Sequence, residues 1–391
     1  MALHVDRVSK TILAKARRLR EDFHRHPELA YRERRTASVI ARVLREAGVD
    51  EVRTGIAETG VVGLLRGGRP GKTIALRADM DALPIQEESG LPYASANAGV
   101  MHACGHDGHT AILLATARVL SQMRGEVPGA VKFIFQPAEE GEAGGKRMAE
   151  AGVLHDPDVD AIFALHAASW LDVGRIQLAP APYAAMNGFQ IDVYGKGGHG
   201  AVPESTVDPI LIGAQIVTAV QTIVSREKRP DQPLVLGICS FESGTKENIV
   251  PESARLQGTI RAMDMAMLRR TRRALERVAV GVARSLRGRA KVTDHQVYPP
   301  VVNDARLLAL VREVGTELLG ARNVLGATAR RMASEDFAFY LPDQGGVPGV
   351  MFQLGIGTHV NHHTSRFDFG SAALEPGILM MVNVAIRAAG S

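Results

Sequence analysis

Thr73-Ile-Ala-Leu-Arg-Ala-Asp-Met-Asp81 is a short apolar strand that ends in two aspartates. Two later segments repeat the pattern: Val131-Lys-Phe-Ile-Phe-Gln-Pro137 leads into Glu139-Glu140, and Ala161-Ile-Phe-Ala-Leu165 leads into His166. Gly60 to Leu65 reads as one more strand, and helix-like stretches fill about 108 to 123 and 144 to 151. Strands alternating with helices specify an α/β sheet with parallel strands at its heart. In open sheets of this kind, sites gather outside the carboxyl ends of the strands. The acids and the imidazole are therefore delivered to one rim. Before the first strand, the opening 50 residues read as two helices broken at Pro27.

The densest chemistry expected at that rim is His102-Ala-Cys-Gly-His-Asp-Gly-His109, which holds three of the chain's 13 histidines and one of its two cysteines. Thiolate and imidazole suit zinc and its neighbours in the transition series, whereas calcium and magnesium prefer oxygen. Ile112-Leu-Leu and Val119-Leu continue at helical spacing, so a helix starts near Asp107 with the ligand loop just ahead of it. Asp107 also reads as a simple N-cap, and His109 as a first-turn histidine. Convergence of Cys104, His106, Glu140, His166 and one late histidine would give too many ligands for a closed tetrahedral zinc. Such a set suits two metals. Glu139 is the natural proton acceptor beside them, because neighbouring side chains diverge at a strand end. Alone, Glu139-Glu140 would read as a solvated acidic turn; the histidine cluster outweighs that.

At 391 residues, with 46% hydrophobic and 23% charged residues, the chain has an ordinary globular composition and room for two domains. Its formal charge of +4 is modest. Runs such as Arg269-Arg270-Thr-Arg272-Arg273 read as solvated helix faces without aromatic interleaving, so no nucleic-acid partner is expected. Two cysteines make no disulfide framework, and a reducing, cytoplasmic setting is expected. Met1 to Arg20 lacks a secretory apolar region. The run from Gly377 to Ile386 falls short of the roughly 20 residues of a span, so no membrane partner is expected either.

Leu178-Ala-Pro-Ala-Pro-Tyr183 reads as a linker. Beyond it come strand 188–194, helix 206–226, strands 233–241 and 253–262, helix 264–287 and strand 290–297. This βαββαβ order is ferredoxin-like. Tyr298-Pro-Pro300 closes it, which gives an inserted domain over 183–297 and a discontinuous domain over 1–182 and 298–391. Gly195-Lys-Gly-Gly-His-Gly200 is formally a dinucleotide fingerprint, but Pro203 and a late helix exclude that reading. The glycines instead carry His199 on an exposed turn.

A family resemblance joins these pieces. Arg20-Glu-Asp-Phe-His-Arg-His-Pro-Glu-Leu-Ala-Tyr-Arg-Glu33, Leu76-Arg-Ala-Asp-Met-Asp-Ala-Leu-Pro84, Met101 to His109, Phe135-Gln-Pro-Ala-Glu-Glu-Gly141, Gly197-Gly-His-Gly-Ala-Val-Pro203, Asn248-Ile-Val-Pro251, Gly258-Thr-Ile-Arg261, Ser334-Glu-Asp-Phe-Ala338 and His363-Thr-Ser-Arg-Phe-Asp368 occur in this order. They resemble the motifs of the aminoacylase and carboxypeptidase family of di-metal peptidases. The similarity is to its amidohydrolase branch of hippurate hydrolases, N-acyl-amino-acid deacylases and hydrolases of indole-acetyl amino acids, and it spans nearly the whole chain.

The resemblance implies a three-layer α/β catalytic domain with a mixed, mainly parallel sheet and an inserted ferredoxin-like α+β lid and dimerisation domain. It implies Cys104, His106, Glu140, His166 and a C-terminal histidine as ligands of two divalent metals (Zn, Mn, Ni or Co), with Glu139 as general acid/base. Counting back from Phe367 selects His363 over the adjacent His362, although Ser365 stands where the family has proline. Asp79 matches an aspartate that orients the site, and Asp107 becomes a cap or a supporting group. His199 matches a lid histidine that, in dimeric relatives, reaches the partner's site and polarises the scissile carbonyl. Asn248 and Arg261 match lid residues that hold the substrate carboxylate. Glu335 and Asp336 receive no role beyond pocket support. The implied activity is hydrolysis of N-acyl or N-aroyl amino acids by a homodimer or dimer of dimers. A dipeptidase or an N-acetyl-diaminopimelate-type deacetylase is the nearest alternative, and the intact Glu139 argues against a catalytically silent relative.

Overall fold

The computed structural model describes residues 4–326 and 331–391, so Met1 to Leu3 of the N-terminal stretch lie outside it. The chain divides into two compact units. The first begins with α1 (Lys10–Arg25), α2 (Arg34–Glu46), β1 (Glu51–Ile56), β2 (Gly60–Arg66), β3 (Arg69–Asp79), α3 (His106–Gln122) and β4 (Pro128–Gln136). A single turn, α4 (Glu139–Glu142), then leads to α5 (Gly144–Glu150), β5 (Ala161–Ala168) and β6 (Ile176–Leu178).

The second unit carries β7 (Ala185–Tyr194), β8 (Gly198–His199), α6 (Pro209–Ala219), α7 (Gln221–Arg226), β9 (Leu234–Ser243), β10 (Ile249–Val250), β11 (Ser253–Ala262), α8 (Met265–Ser285) and β12 (Arg289–Tyr298). The chain returns to the first unit with α9 (Ala305–Leu319), β13 (Val324–Gly326), β14 (Gly349–Gly355) and α10 (Leu374–Ala389).

The first unit is built on an eight-stranded sheet of order β1-β2-β4-β3-β5-β14-β6-β13. Its centre is parallel, because β4, β3, β5 and β14 all run the same way. The β1–β2 hairpin is antiparallel, as are the β2–β4 and β6–β14 pairs. The first strand of that hairpin is exposed along most of its length, so it carried no apolar signal in the sequence. One face of the sheet supplies Ile74, Leu76, Ala78, Phe133 and Phe135 to the same core as Phe23, Leu113, Leu120, Met381 and Ile386 from the helices. The segment Ser371–Ala389 is apolar enough to span a membrane by length and composition, but 72% of it is buried in this core, which accounts for its character.

The second unit comprises Tyr183–Val301 and residues 331–335. The later segment enters through the Ala184 amide, which donates to the Ala333 carbonyl at 2.8 Å. Its four-stranded sheet is antiparallel throughout, in the order β12-β7-β11-β9. Phe189, Ile191, Leu256 and Ile260 pack against Ile212, Ile216 and Leu275 of the helices. The sequence suggested one helix over 206–226. Instead it begins at Pro209, where the Asp208 carboxylate caps the amides of Ile210 and Leu211, and it breaks at Val220.

At the carboxyl rim of the parallel strands, α3 starts two residues earlier than the sequence pattern suggested. His106 is its first residue, and Gly105 is the N-cap at φ 96°. That left-handed angle suits glycine, and a Cβ there would also lie 3.1 Å from Ala167 and Phe369. Asp107 makes no capping bond. Gly108 faces the Phe369 ring so closely that a Cβ would stand 2.4 Å from it. Gly108→Ala should therefore overpack this junction and cost about 1–3 kcal/mol, read as a lower denaturation midpoint with an unchanged slope.

Candidate metal centre

Three histidines on this rim look alike in sequence, and their hydrogen bonds tell them apart. His109 spends both ring nitrogens: Nε2 accepts from the Ala167 amide at 2.8 Å, so Nδ1–H donates to Asp79 at 2.6 Å. It has no lone pair left for a metal. His106 donates Nδ1–H to the Asp81 carbonyl at 2.9 Å and lies 3.1 Å from its carboxylate. Its buried Nε2 has no hydrogen-bond partner among the described residues. His166 donates Nδ1–H to the Ala167 carbonyl at 2.8 Å, and its Nε2 points 3.6 Å from the Cys104 sulfur. A histidine whose far nitrogen is fixed by a carbonyl or carboxylate is the usual form of a metal-ligating imidazole.

Around these rings, ligand atoms close into several groups, two of which contain the Cys104 sulfur. Those of Cys104, His106 and His166 lie within 4.8 Å of one another, and so do those of Cys104, Glu140 and His363. Cys104 belongs to both. Glu140 sits 3.2 Å from His363 Nε2 and 4.0 Å from His106 Nε2. Glu139, His106 and Glu140 form a further group within the same distance. Of the two late histidines, His363 reaches Glu140, whereas His362 packs its ring between Trp170 and Phe367.

The donor set fits divalent cations. Burial, reinforced by the carboxylates of Glu140, Glu139 and Asp79, pushes the Cys104 thiol well above its ordinary range. A cation among these groups would reverse that, since a coordinating thiol is held deprotonated. Burial also drives the His166 imidazole well below its usual value, which keeps it neutral for ligation. For His106, burial works downward but Asp79, Asp81 and Glu140 outweigh it and raise the ring to about 10. A metal would compete with that proton.

A match to the model of peptidase family M20/M25/M40 over residues 75–387 accompanies this geometry. The chain belongs to that family. It is 38% identical to thermostable carboxypeptidase 1 of Saccharolobus solfataricus over 379 residues, 94% of each chain. It is 43% identical to an N-acyl-L-amino acid amidohydrolase of Geobacillus stearothermophilus over 301 residues, 76% of this chain and 80% of the relative. Among solved structures, a Bacillus subtilis protein described as a dinuclear metal-binding peptidase of the M20 family superposes with a TM-score of 0.82 at 34% identity, covering 97% of this chain and 98% of that one. This M20 chain is a metal-dependent amidohydrolase.

The remaining residues singled out in the sequence fall into separate places. Asp79 holds His109 with one oxygen and Arg77 with the other, the second oxygen also lying 3.7 Å from His106 Nε2. Asp107 turns away from the thiol and pairs with Arg20 and His24, each at 2.9 Å. In the second unit, β8 and β10 pair so that His199 faces Ile249, with Asn248 adjacent. The His199 ring accepts the Ala201 amide at Nδ1, 3.0 Å away, which leaves Nε2 as the donor of the neutral ring. Arg261 is half-buried and donates to the Met332 carbonyl at 3.0 Å. It pairs with Met186 at the start of β7, while the His199 turn follows the other end of that strand. Eight positions along β11 separate Ser253 from Arg261, about 26 Å at the strand rise. His199 and Asn248 are thus brought together, and Arg261 stands apart from both.

Several buried residues here carried no role in the sequence reading. Asp81 uses its two oxygens on different partners, His106 Nδ1 and the Glu140 amide at 3.0 Å. Arg77 and Gln136 interrupt apolar strands, which was the signal available for them; both bond Asp336.

Two measurements check this arrangement. Asp81→Ala should weaken metal binding about 10- to 100-fold in competition with a chelator while the fold persists. At His24, burial works downward, but bonds to Asp107 and Glu87 prevail and raise the ring to about 9. Because the folded value exceeds the unfolded one near 6.5, the stabilisation is complete below about pH 6.5 and is lost as pH rises through 9. It amounts to about 3 kcal/mol. The wild type should lose stability relative to His24→Gln across that window, followed by thermal melts from pH 6 to 10.

Proposed function

We propose that this M20 chain hydrolyses the amide bond of N-acyl or N-aroyl amino acids, releasing a carboxylic acid and a free amino acid, with two divalent metals from the group Zn, Mn, Ni and Co. The observation that carries the reading is the sharing of Cys104 between two ligand groups. Cys104, His106 and His166 would hold one ion, and Cys104, Glu140 and His363 the other. When bound, the pair supplies Lewis acidity, polarising the scissile carbonyl and acidifying the attacking water.

Glu139 is 9% exposed and lies within 4.8 Å of His106 and Glu140, so its carboxylate can meet water at the ligand cluster. It takes the proton of that water and returns it to the leaving amine nitrogen. The His199 Nε2–H donates to the carbonyl oxygen, and the Arg261 guanidinium receives the substrate carboxylate. A carboxypeptidase and an N-acyl-amino-acid amidohydrolase both release an amino acid that bears a free carboxylate, which favours this class of substrate.

Because His199 and Arg261 occupy opposite ends of the lid sheet, they serve one substrate only if the His199 turn comes from a second copy. This favours a homodimer. Consistent with it, β9 is an edge strand with Val235 and Phe241 exposed, and Leu211 of α6 is 53% exposed.

Metal-reconstituted protein offered N-acetyl, N-benzoyl and N-indoleacetyl amino acids should turn over at least one class, and chelated protein none; inactivity toward all of them would refute the reading. Glu139→Gln should lower kcat about 10²- to 10⁴-fold with two metals retained, as counted by mass spectrometry. His199→Ala should lower kcat about 10²- to 10³-fold.

A further inference from the structure

Glu139 and Glu140 ride on the single distorted turn α4. Ala138 has a φ of 55°, Glu140 has a ψ of 78° and Gly141 a φ of 84°, so the backbone leaves helical geometry within four residues. The Gly144 amide closes back on the turn, reaching the Ala138 carbonyl at 3.0 Å.

Three other amides of the segment donate instead to buried carboxylates from three distant stretches of chain. Ala138 N–H donates to Glu33 at 2.9 Å, Glu140 N–H to Asp81 at 3.0 Å and Gly145 N–H to Asp336 at 2.7 Å. All three acids are at most 1% exposed. Each has its own support. Thr59 Oγ1 donates to Glu33 at 2.6 Å, His106 lies against Asp81, and Arg77 with Gln136 donates to Asp336.

We propose that these carboxylates form a clamp on the turn, and that Glu33 and Asp336 are positioning residues that fix the Glu139 carboxylate for proton transfer. Asp81 also orients a metal ligand, so its effect on the turn cannot be isolated. Glu33 touches no proposed ligand and no reacting atom. Its bond enters the backbone one residue before Glu139, where a small rotation at Ala138 swings the following side chain. A displacement of about 1 Å at a reacting group can cost about 10²-fold in rate. The inference rests on the assignment of Glu139 as the base.

Glu33→Met keeps the volume and removes both acceptor oxygens, whereas Glu33→Gln keeps one oxygen for the Ala138 amide and turns its NH2 toward Thr59. In metal-reconstituted enzyme, Glu33→Met should lower kcat about 10- to 100-fold, leave KM within about twofold and leave the bound metal count unchanged. Hydrogen exchange in peptides covering 133–147 should accelerate. Glu33→Gln should restore both kcat and protection. A Glu33→Met enzyme with wild-type kcat, a loss of activity that follows loss of metal, or a Glu33→Gln enzyme as impaired as Glu33→Met would each overturn the clamp.

If Glu33→Met does not fold, Thr59→Val removes one of the donors that hold Glu33. It should then move kcat and exchange in the same direction by a smaller factor, and no movement in either would overturn the clamp. Glu139→Gln runs beside these as control. Full activity there refutes the base assignment, while the exchange measurement still reads the clamp by itself.

Discussion

One guanidinium, shut away from water, ties the floor of the metal centre together. Arg77 is 1% exposed and donates to Asp79 at 2.7 Å, to Asp336 at 2.9 Å and to Gln136 at 2.9 Å. Burying such a charge is costly unless its donors are met, and here three acceptors meet them. The positive charge faces two carboxylates in the same dry space. One of them, Asp79, locks the tautomer of His109 and faces His106; the other, Asp336, grips the amide of Gly145. Both the histidine side of the centre and the Glu139 turn are referred to a single cation on β3. The parallel sheet explains why this works, because β3 and β4 are in register at their carboxyl ends and set Asp79 opposite Gln136.

Much of this was legible in the sequence, for identifiable reasons. Apolar strands that end in Asp79, Glu139 or His166 announce both a parallel sheet and the rim where the groups meet, since a buried strand needs a continuous apolar run and a polar residue at its end needs a purpose. The ferredoxin-like order of the second unit could be read from its spacing. What stayed hidden depends on partners distant in sequence. The family resemblance already set His106 apart from His109, and the physical reason lies in which nitrogen the Ala167 amide and the Asp81 carbonyl claim. Asp107 looked like a cap, yet Gly105 takes that place and Asp107 pairs with Arg20, 87 positions away. β1 has an almost fully exposed surface, so periodicity could not reveal it.

The second unit separates residues that a list of motifs runs together. His199 and Asn248 sit beside each other on a two-stranded flap beyond one end of its sheet, while Arg261 anchors the other end against the Met332 carbonyl. Motifs read in a line suggest one pocket. The antiparallel register of β7 and β11 separates them, because the chain must travel the length of the sheet between these residues.

Cys104 is the member of the centre with no substitute, since its sulfur is common to both ligand groups and no other described cysteine is near it; Cys239 lies exposed on β9 of the other unit. Sulfur is also the one donor in the set that oxidants convert stepwise to oxyacids. Oxidation of that one sulfur would therefore disable both ligand groups through a single atom, whereas the loss of His166 or His363 would spare one of them. The architecture concentrates its chemical vulnerability where it concentrates its coordination.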